Sequence, residues 1–507
     1  MHPDKLVEQA FATVSDLIRA QAGHRPAMPS FIQDGRTLDY AGLDALLDRA
    51  AAALQRDGIV PGDAISICAT TSIEYAVVYL AALRAGAIVA PLAPSSTREQ
   101  LAGMVSDCRA KLLFLDRSTA DSLPAVPRRI SLAEAEFSSW LAPAGAKPVP
   151  VEVEPGWGFN IIYSSGTTGT PKGIVQPHSM RWSQVQRGSA LGCGPGSVAL
   201  LSTPLYSNTT LVTFFMAVAR GATLVLMAKF DARGYLELAQ KHRATHTMLV
   251  PVQYQRIMAL PEFGQYDLSA FRMKLSTSAP FPAALKADVL ARWPGGLTEF
   301  YGMTEGGGTC ILPAHEHPDK LHTVGRPAPG HDIRLIDDEG REVPPGGTGE
   351  VVGRSGMMMK GYYNQPEKTA EAEWYDPSGK RFIRTGDIGR FDAEGFLTLL
   401  DRKKDVIISG GFNIYPTDLE AVLREHAAVA DVSVIGVPSE RWGETPVAFV
   451  VPGDPVDEAE LLAWANAKLG RMQRLSAVAR IDSLPRSAIG KVLKRELRDR
   501  WKAAARS

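Results

Sequence analysis

Apolar residues recur along this chain in two alternating rhythms. Leu43, Leu46, Leu47 and Ala50 share a helical face, Ala64 to Ala69 is a short apolar run, and Tyr75, Val78, Tyr79, Ala82 and Leu83 resume the helical spacing. Ile88-Val89-Ala90 and Leu112-Leu113-Phe114-Leu115 read as strands, and the pattern returns at 198–203, 224–227 and 247–250. Strands alternating with helices predict an α/β fold of layered, mostly parallel sheets. After about Leu321 turn signals crowd together, at Asp338-Glu339-Gly340, Pro344-Pro345-Gly346-Gly347 and Asp392-Ala393-Glu394-Gly395. Short β segments at 333–336 and 349–352 lie between them, which predicts a small antiparallel subdomain. The five consecutive charges from Asp401 to Asp405 predict an exposed connection. Beyond them, a helix at 416–425, strands at 432–437 and 447–451, and a helix at 458–469 predict a compact α+β domain. The expected division is a large N-terminal domain, residues 1–401, and a small C-terminal domain, residues 402–507.

Composition narrows the class. The 507 residues are 45% hydrophobic and 22% charged, as in a soluble globular protein, and exceed one ordinary domain. Basic and acidic residues balance at 55 each, so no nucleic-acid partner or acidic membrane surface is expected. Cys68, Cys108, Cys193 and Cys310 form no CxxC pair, which speaks against structural zinc and disulfides and for a reducing compartment. The N-terminus has no apolar signal core, and the most apolar window, 76–94, is broken by Arg84, Gly86, Pro91 and Pro94. A cytoplasmic protein without an integral membrane segment is expected. A homodimer is one assembly compatible with the sequence.

Candidate chemistry begins at Tyr163 to Gly173, Tyr-Ser-Ser-Gly-Thr-Thr-Gly-Thr-Pro-Lys-Gly, directly after the strand-like Phe159 to Ile162. Glycines let the backbone N–H groups approach a ligand, hydroxyls add neutral donors, and lysine adds a mobile cation. A flexible linker has a similar composition. The preceding strand and the Pro-Lys-Gly ending favour a polyphosphate wrap, though not a P-loop, because Gly173 follows Lys172.

Four further segments carry reactive side chains: Tyr301-Gly302-Met303-Thr304-Glu305, Arg384-Thr385-Gly386-Asp387, Asp401 through Ser409-Gly410-Gly411-Phe412, and Pro485 to Lys491. Each alone has a plain alternative, a helix cap, a turn residue or a solvated charge. In this order and company, over essentially the whole chain, they resemble the adenylate-forming superfamily of acyl-CoA synthetases, peptide-synthetase adenylation domains and beetle luciferases. The likeness is strongest to bacterial carboxylate–CoA ligases.

The resemblance implies ATP bound between a large domain and a small mobile one. Ser164, Ser165, Gly166, Thr167, Thr168, Gly169 and Lys172 would embrace the β- and γ-phosphates, and Ser278, Ala279, Pro280 and Tyr301 would line the adenine. Thr304 would bond the α-phosphate, Glu305 would hold Mg²⁺, and Asp387, with Arg402 close by, would take the ribose hydroxyls. Lys404 falls at the family's hinge and Lys491 at its catalytic lysine. Gly410 and Gly411 would admit pantetheine, and Trp442 and Arg474 resemble positions that contact coenzyme A. Relatives often read Lys-X-Pro where this chain has Gln473-Arg474-Leu475, and packing between domains is an alternative role for Trp442.

The expected acid pocket comprises Tyr206, Ser207, Asn208, Gly302, Gly307 and Gly308. Relatives commonly carry histidine where Ser207 stands, and bulkier residues where Gly306-Gly307-Gly308 follows Glu305. Both differences suggest a roomy site for an aromatic or medium-chain acid. The expected reaction joins that acid to AMP with loss of pyrophosphate, then passes the acyl group to coenzyme A. A free-standing acyl carrier protein is the alternative acceptor, and a noncatalytic nucleotide-binding relative is the alternative class.

Overall fold

The computed structural model describes residues 1–119, 128–164, 172–409, 412–486 and 491–504. Two compact units emerge. The first comprises Met1–His322, Pro327–Asp332 and Arg354–Ile383, and the second Thr323–Arg326, Ile333–Gly353 and Arg384–Ser507.

Two sheets organise the first unit. In one, neighbouring strands run Gly306–Pro313, Gly296–Met303, Met273–Ser276, His246–Leu249, Val198–Leu201, Thr223–Leu226, Pro29–Gln33 and Arg36–Asp39. Pairing is parallel through the interior and antiparallel at both ends of that run. The other runs Gly361–Tyr362, Lys172–Pro177, Gly158–Ser164, Ile88–Leu92, Ala64–Cys68, Leu112–Leu115 and Arg129–Ser131. Its strands from Gly158–Ser164 through Arg129–Ser131 are parallel. The strands expected at Ala64, Ile88, Leu112, Val198, Leu224 and Thr247 are therefore present, each within a residue or two of its expected start.

The most apolar window resolves into the helix Ile73–Arg84, buried at every residue, followed by the strand Ile88–Leu92. Ser72 caps the helix by accepting from the Tyr75 N–H at 3.1 Å. Arg84 is tolerated there because Asp44 and Asp48 meet its guanidinium at 2.6 and 2.7 Å. Among the described residues no helix is long and apolar enough to cross a membrane.

The second unit contains most of a sheet built from Asp332–Ile336, Thr348–Arg354, Arg381–Phe391 and Leu397–Arg402, with the last two antiparallel. A further sheet runs Phe412–Ile414, Ile407–Ser409, Gly443–Pro452 and Val429–Ser439, with Ala477–Arg480 beside Gly443–Pro452. The helices Pro416–Arg424 and Glu458–Lys468 bury Leu419, Leu423, Leu461 and Ala465 with Val432, Val434 and Val450.

The run Asp401 to Asp405 corrects the expectation of a wholly exposed connection. The Asp401 side chain is only 5% exposed and Asp405 is also buried. Burial is tolerated because the helix Lys494–Ala504 brings cations to both. Lys494 Nζ lies 3.9 Å from Asp401, and Arg498 donates to Asp405 at 2.7 Å.

Candidate active site

Within the first unit, the expected residues gather beyond the carboxyl ends of parallel strands, where open α/β sheets bind ligands. Leu201 leads to Tyr206-Ser207-Asn208, Ser276 leads to Ser278-Ala279-Pro280, and Tyr301 to Glu305 end the strand Gly296–Met303.

Thr304 and Glu305 form a tight turn, because Met303 pairs with Gly306 across the hairpin. Gly306 has φ +94°, and a Cβ there would lie 1.9 Å from the Met357 carbonyl oxygen. The expectation that the three glycines enlarge the pocket therefore fails at Gly306: a close backbone approach requires it. The Glu305 carbonyl accepts from the Met359 N–H at 2.7 Å, and Glu305 Oε1 accepts from the Tyr362 hydroxyl at 2.9 Å. Burial, and then the Glu305 charge, push the Tyr362 hydroxyl far above the ordinary tyrosine range.

Lys172 enters from the other sheet. It pairs with Ser164 at the open end of the hairpin Gly158–Ser164 and Lys172–Pro177. Its Nζ stands 4.8 Å from the Tyr362 ring centroid. Cation, aromatic face and carboxylate thus line up as Lys172, Tyr362 and Glu305. Gly173 is needed for packing, since a Cβ there would meet Ile161 Cγ2 at 2.8 Å. Ser165, Gly166, Thr167, Thr168 and Gly169 lie outside the described residues, as do Gly410 and Gly411 in the second unit.

Around the expected acid pocket, Tyr206 is half-buried, and burial raises its hydroxyl pKa. Ser207 is the N-cap residue of the helix Asn208–Ala219, without a side-chain cap bond. Thr209 shares a hydrogen bond with Ser278, which holds a left-handed φ of +83°. A serine at such a φ is strained, and strain of this kind clusters at binding sites. Ala279 is half-buried and Pro280 exposed, while Tyr301 sits on its strand opposite Cys310, with Gly302 exposed beside it. Gly307 and Gly308 are buried in the strand Gly306–Pro313.

In the second unit, Asp387 and Arg402 are cross-strand partners joined at 2.7 Å. Lys404 is the exposed centre of the 3₁₀ turn Lys403–Asp405. Trp442 is 41% exposed, with the Arg441 guanidinium 4.7 Å from its ring centroid, and Ile408 and Phe412 are exposed as well. Arg474 and Lys491 are exposed. Lys491 precedes Val492, which forms an antiparallel bridge with Arg486.

Three contributors have no motif to announce them. Tyr362 lies 57 residues from Glu305. Gln176 donates to the Thr304 carbonyl at 2.7 Å, and its one signal is an amide directly after the apolar pair Ile174-Val175. Arg181 is fully buried beside it.

Residues 18–363 match the family of AMP-binding enzymes, and residues 418–491 match the AMP-binding enzyme C-terminal domain. The chain belongs to this family. A fatty acid–[acyl-carrier-protein] ligase, ScoC, of Streptomyces coeruleorubidus is 32% identical over 520 residues, covering 99% of both chains. An indoleacetate–CoA ligase of Aromatoleum aromaticum is 32% identical over 514 residues, covering 96% of this chain and 97% of the relative. The crystal structure of ATP-bound MatB from Rhodopseudomonas palustris matches with a TM-score of 0.88 at 28% identity, covering 97% of this chain and 99% of that one.

Proposed function

We infer that the protein is an ATP-dependent carboxylate–CoA ligase of the AMP-forming type, acting on an aromatic or medium-chain acid. The alignment of Lys172, Tyr362 and Glu305 carries this reading, because it sets a cation for phosphate oxygens and a carboxylate for a metal ion at one site. Family membership over both matched regions supports it.

A carboxylate acylates poorly because oxide is a bad leaving group. A carboxylate oxygen attacks the α-phosphorus of ATP, a new C–O–P link forms, and the bond to pyrophosphate breaks. The thiol of coenzyme A then releases its proton to solvent and attacks the acyl carbon, a C–S bond forms, and AMP leaves with the electron pair of the broken C–O bond. In this account Ser164 to Lys172 wrap the β- and γ-phosphates, and Tyr301 with Ser278 to Pro280 lines the adenine. Thr304 bonds the α-phosphate, and Asp387, held by Arg402, takes the ribose hydroxyls. Acid and triphosphate repel strongly in a dry site, so the Lys491 ammonium neutralises charge as they combine.

The residues present fit Mg²⁺. Among the described residues no cluster of three or more His, Cys, Asp or Glu could hold a metal by itself. Glu305 offers one hard oxygen donor, half-buried and with Oε1 already oriented by Tyr362, which suits an ion that binds through one carboxylate and substrate phosphates. When bound there, Mg²⁺ supplies positive charge to the phosphates.

For the second step, residues 402–507 act as the mobile domain, turning about Lys404 to withdraw Lys491 and present Gly410-Gly411 and Trp442 to pantetheine. A second acceptor is supported by the relative named for an acyl carrier protein and by Gln473-Arg474-Leu475. AMP release measured over a panel of carboxylic acids, with coenzyme A, with a holo carrier protein, or with neither, tests the whole reading. Acid- and CoA-dependent AMP release is expected. Its absence with every acid and acceptor, or acetate as the best substrate, would contradict the assignment.

A further inference from the structure

A buried cation that pairs with no carboxylate among the described residues bonds to Asn208 of the expected acid pocket. Arg181 is fully buried in the helix His178–Arg187, and among the described residues no carboxylate pairs with it. Its guanidinium instead donates to three amide oxygens: Gln184 Oε1 at 2.9 Å, Gln176 Oε1 at 2.5 Å and Asn208 Oδ1 at 2.7 Å. The rings of Phe159 and Phe215 flank it, with centroids 5.8 and 5.6 Å away. Burial lowers its pKa to about 10, which leaves it charged at neutral pH. The positive end of the helix Asn208–Ala219 adds to the same local field. Burying a charge without a counterion is costly, and an apolar side chain of similar volume would avoid the cost.

Arginine only donates, so the atoms facing it must be amide oxygens, and the orientations of all three amides are thereby fixed. Gln176 turns its Nε2 to the Thr304 carbonyl at 2.7 Å and to Asn208 Oδ1 at 3.3 Å. Asn208 has its oxygen occupied by two donors, while its Nδ2 has no hydrogen-bond partner among the described residues and the residue is only half-buried. We propose that Arg181 is a positioning residue for the acid substrate: it fixes Asn208 so that Nδ2 offers N–H donors to a hydrogen-bond acceptor on the acid, and fixes Gln176 so that the Thr304 turn is held. The preferred acids would carry an oxygen acceptor within reach of Asn208, whether the reacting carboxylate or a polar substituent. This rests on the reading of residues 206–208 as pocket wall.

Two variants test it. Arg181→Met removes the guanidinium. Asn208→Asp gives that guanidinium a carboxylate partner, so the core stays satisfied, but it replaces the donors facing the acid with an acceptor. For Asn208→Asp we expect an unchanged or raised Tm, unchanged affinity for a non-hydrolysable ATP analogue, and a KM for the best acid raised about tenfold or more, as for one lost hydrogen bond. Arg181→Met should raise the same KM, and it should weaken the preference for acceptor-bearing acids over their hydrocarbon analogues. A folded variant of either kind with wild-type acid KM and wild-type acid ranking would overturn the proposal. Wild-type protein that released no AMP with any acid would overturn the ligase reading and this inference with it. An active wild type with an unaffected Asn208→Asp would overturn this inference alone.

Discussion

Tyr362 stands between a cation and a carboxylate, with its face toward Lys172 and its hydroxyl on Glu305. Removing that hydroxyl leaves the Glu305 oxygen without its donor inside a half-buried turn. Tyr362→Phe is expected to cost about 1 kcal/mol of stability. It should also lower acid-dependent pyrophosphate exchange by roughly tenfold, because the carboxylate is no longer held in place. Exchange at the wild-type rate would remove Tyr362 from the site. At this scale, legibility followed local spacing. Thr304 and Glu305 are adjacent and follow an aromatic and a glycine, a pattern readable on the chain itself. Tyr362 reaches Glu305 only through the strand Gly361–Tyr362, which pairs with Lys172–Pro177, and no local pattern records that pairing. Gly306 was visible but misread: the sequence suggests empty space, whereas the Met357 carbonyl fills it.

The charged run at 401–405 shows what an element adds to its residues. Five charges in a row read as solvated, yet the helix Lys494–Ala504 lies about ninety residues on and neutralises two of them. Burial, outweighing Lys494, raises the Asp401 pKa to about 6. Its folded pKa is then above the unfolded value of 3.8, so the native state binds the extra proton between those values. The contribution to stability is present below about pH 4 and is lost as pH rises to about 6, a change of the order of 2–3 kcal/mol. Urea unfolding across that window should show this loss in the wild type relative to Asp401→Asn, and parallel curves would contradict it. The neighbouring turn Lys403–Asp405 carries the proposed hinge. Proline at position 404 would restrict backbone rotation in that turn. Lys404→Pro should leave pyrophosphate exchange intact and slow thioester formation at least about tenfold. Normal overall turnover would exclude the hinge role.

Over the whole molecule, the alternating rhythms foretold the parallel sheets well, because buried parallel strands such as Ala64–Cys68 and Leu112–Leu115 are continuous apolar runs. Strand order was not legible: Val198–Leu201 lies between His246–Leu249 and Thr223–Leu226, an arrangement set by long-range packing. The amide cluster around Arg181 was hidden for the same reason, since Gln176, Arg181 and Asn208 come from three separate elements. Function in this account needs a late lysine to serve one half-reaction and leave for the other. Measuring the two half-reactions of Lys491→Ala separately tests that claim most directly. Pyrophosphate release from acid and ATP should fall by about 10²–10³, while thioester formation from preformed acyl-AMP and coenzyme A stays near the wild-type rate. Equal loss in both half-reactions, or no loss in the first, would contradict it.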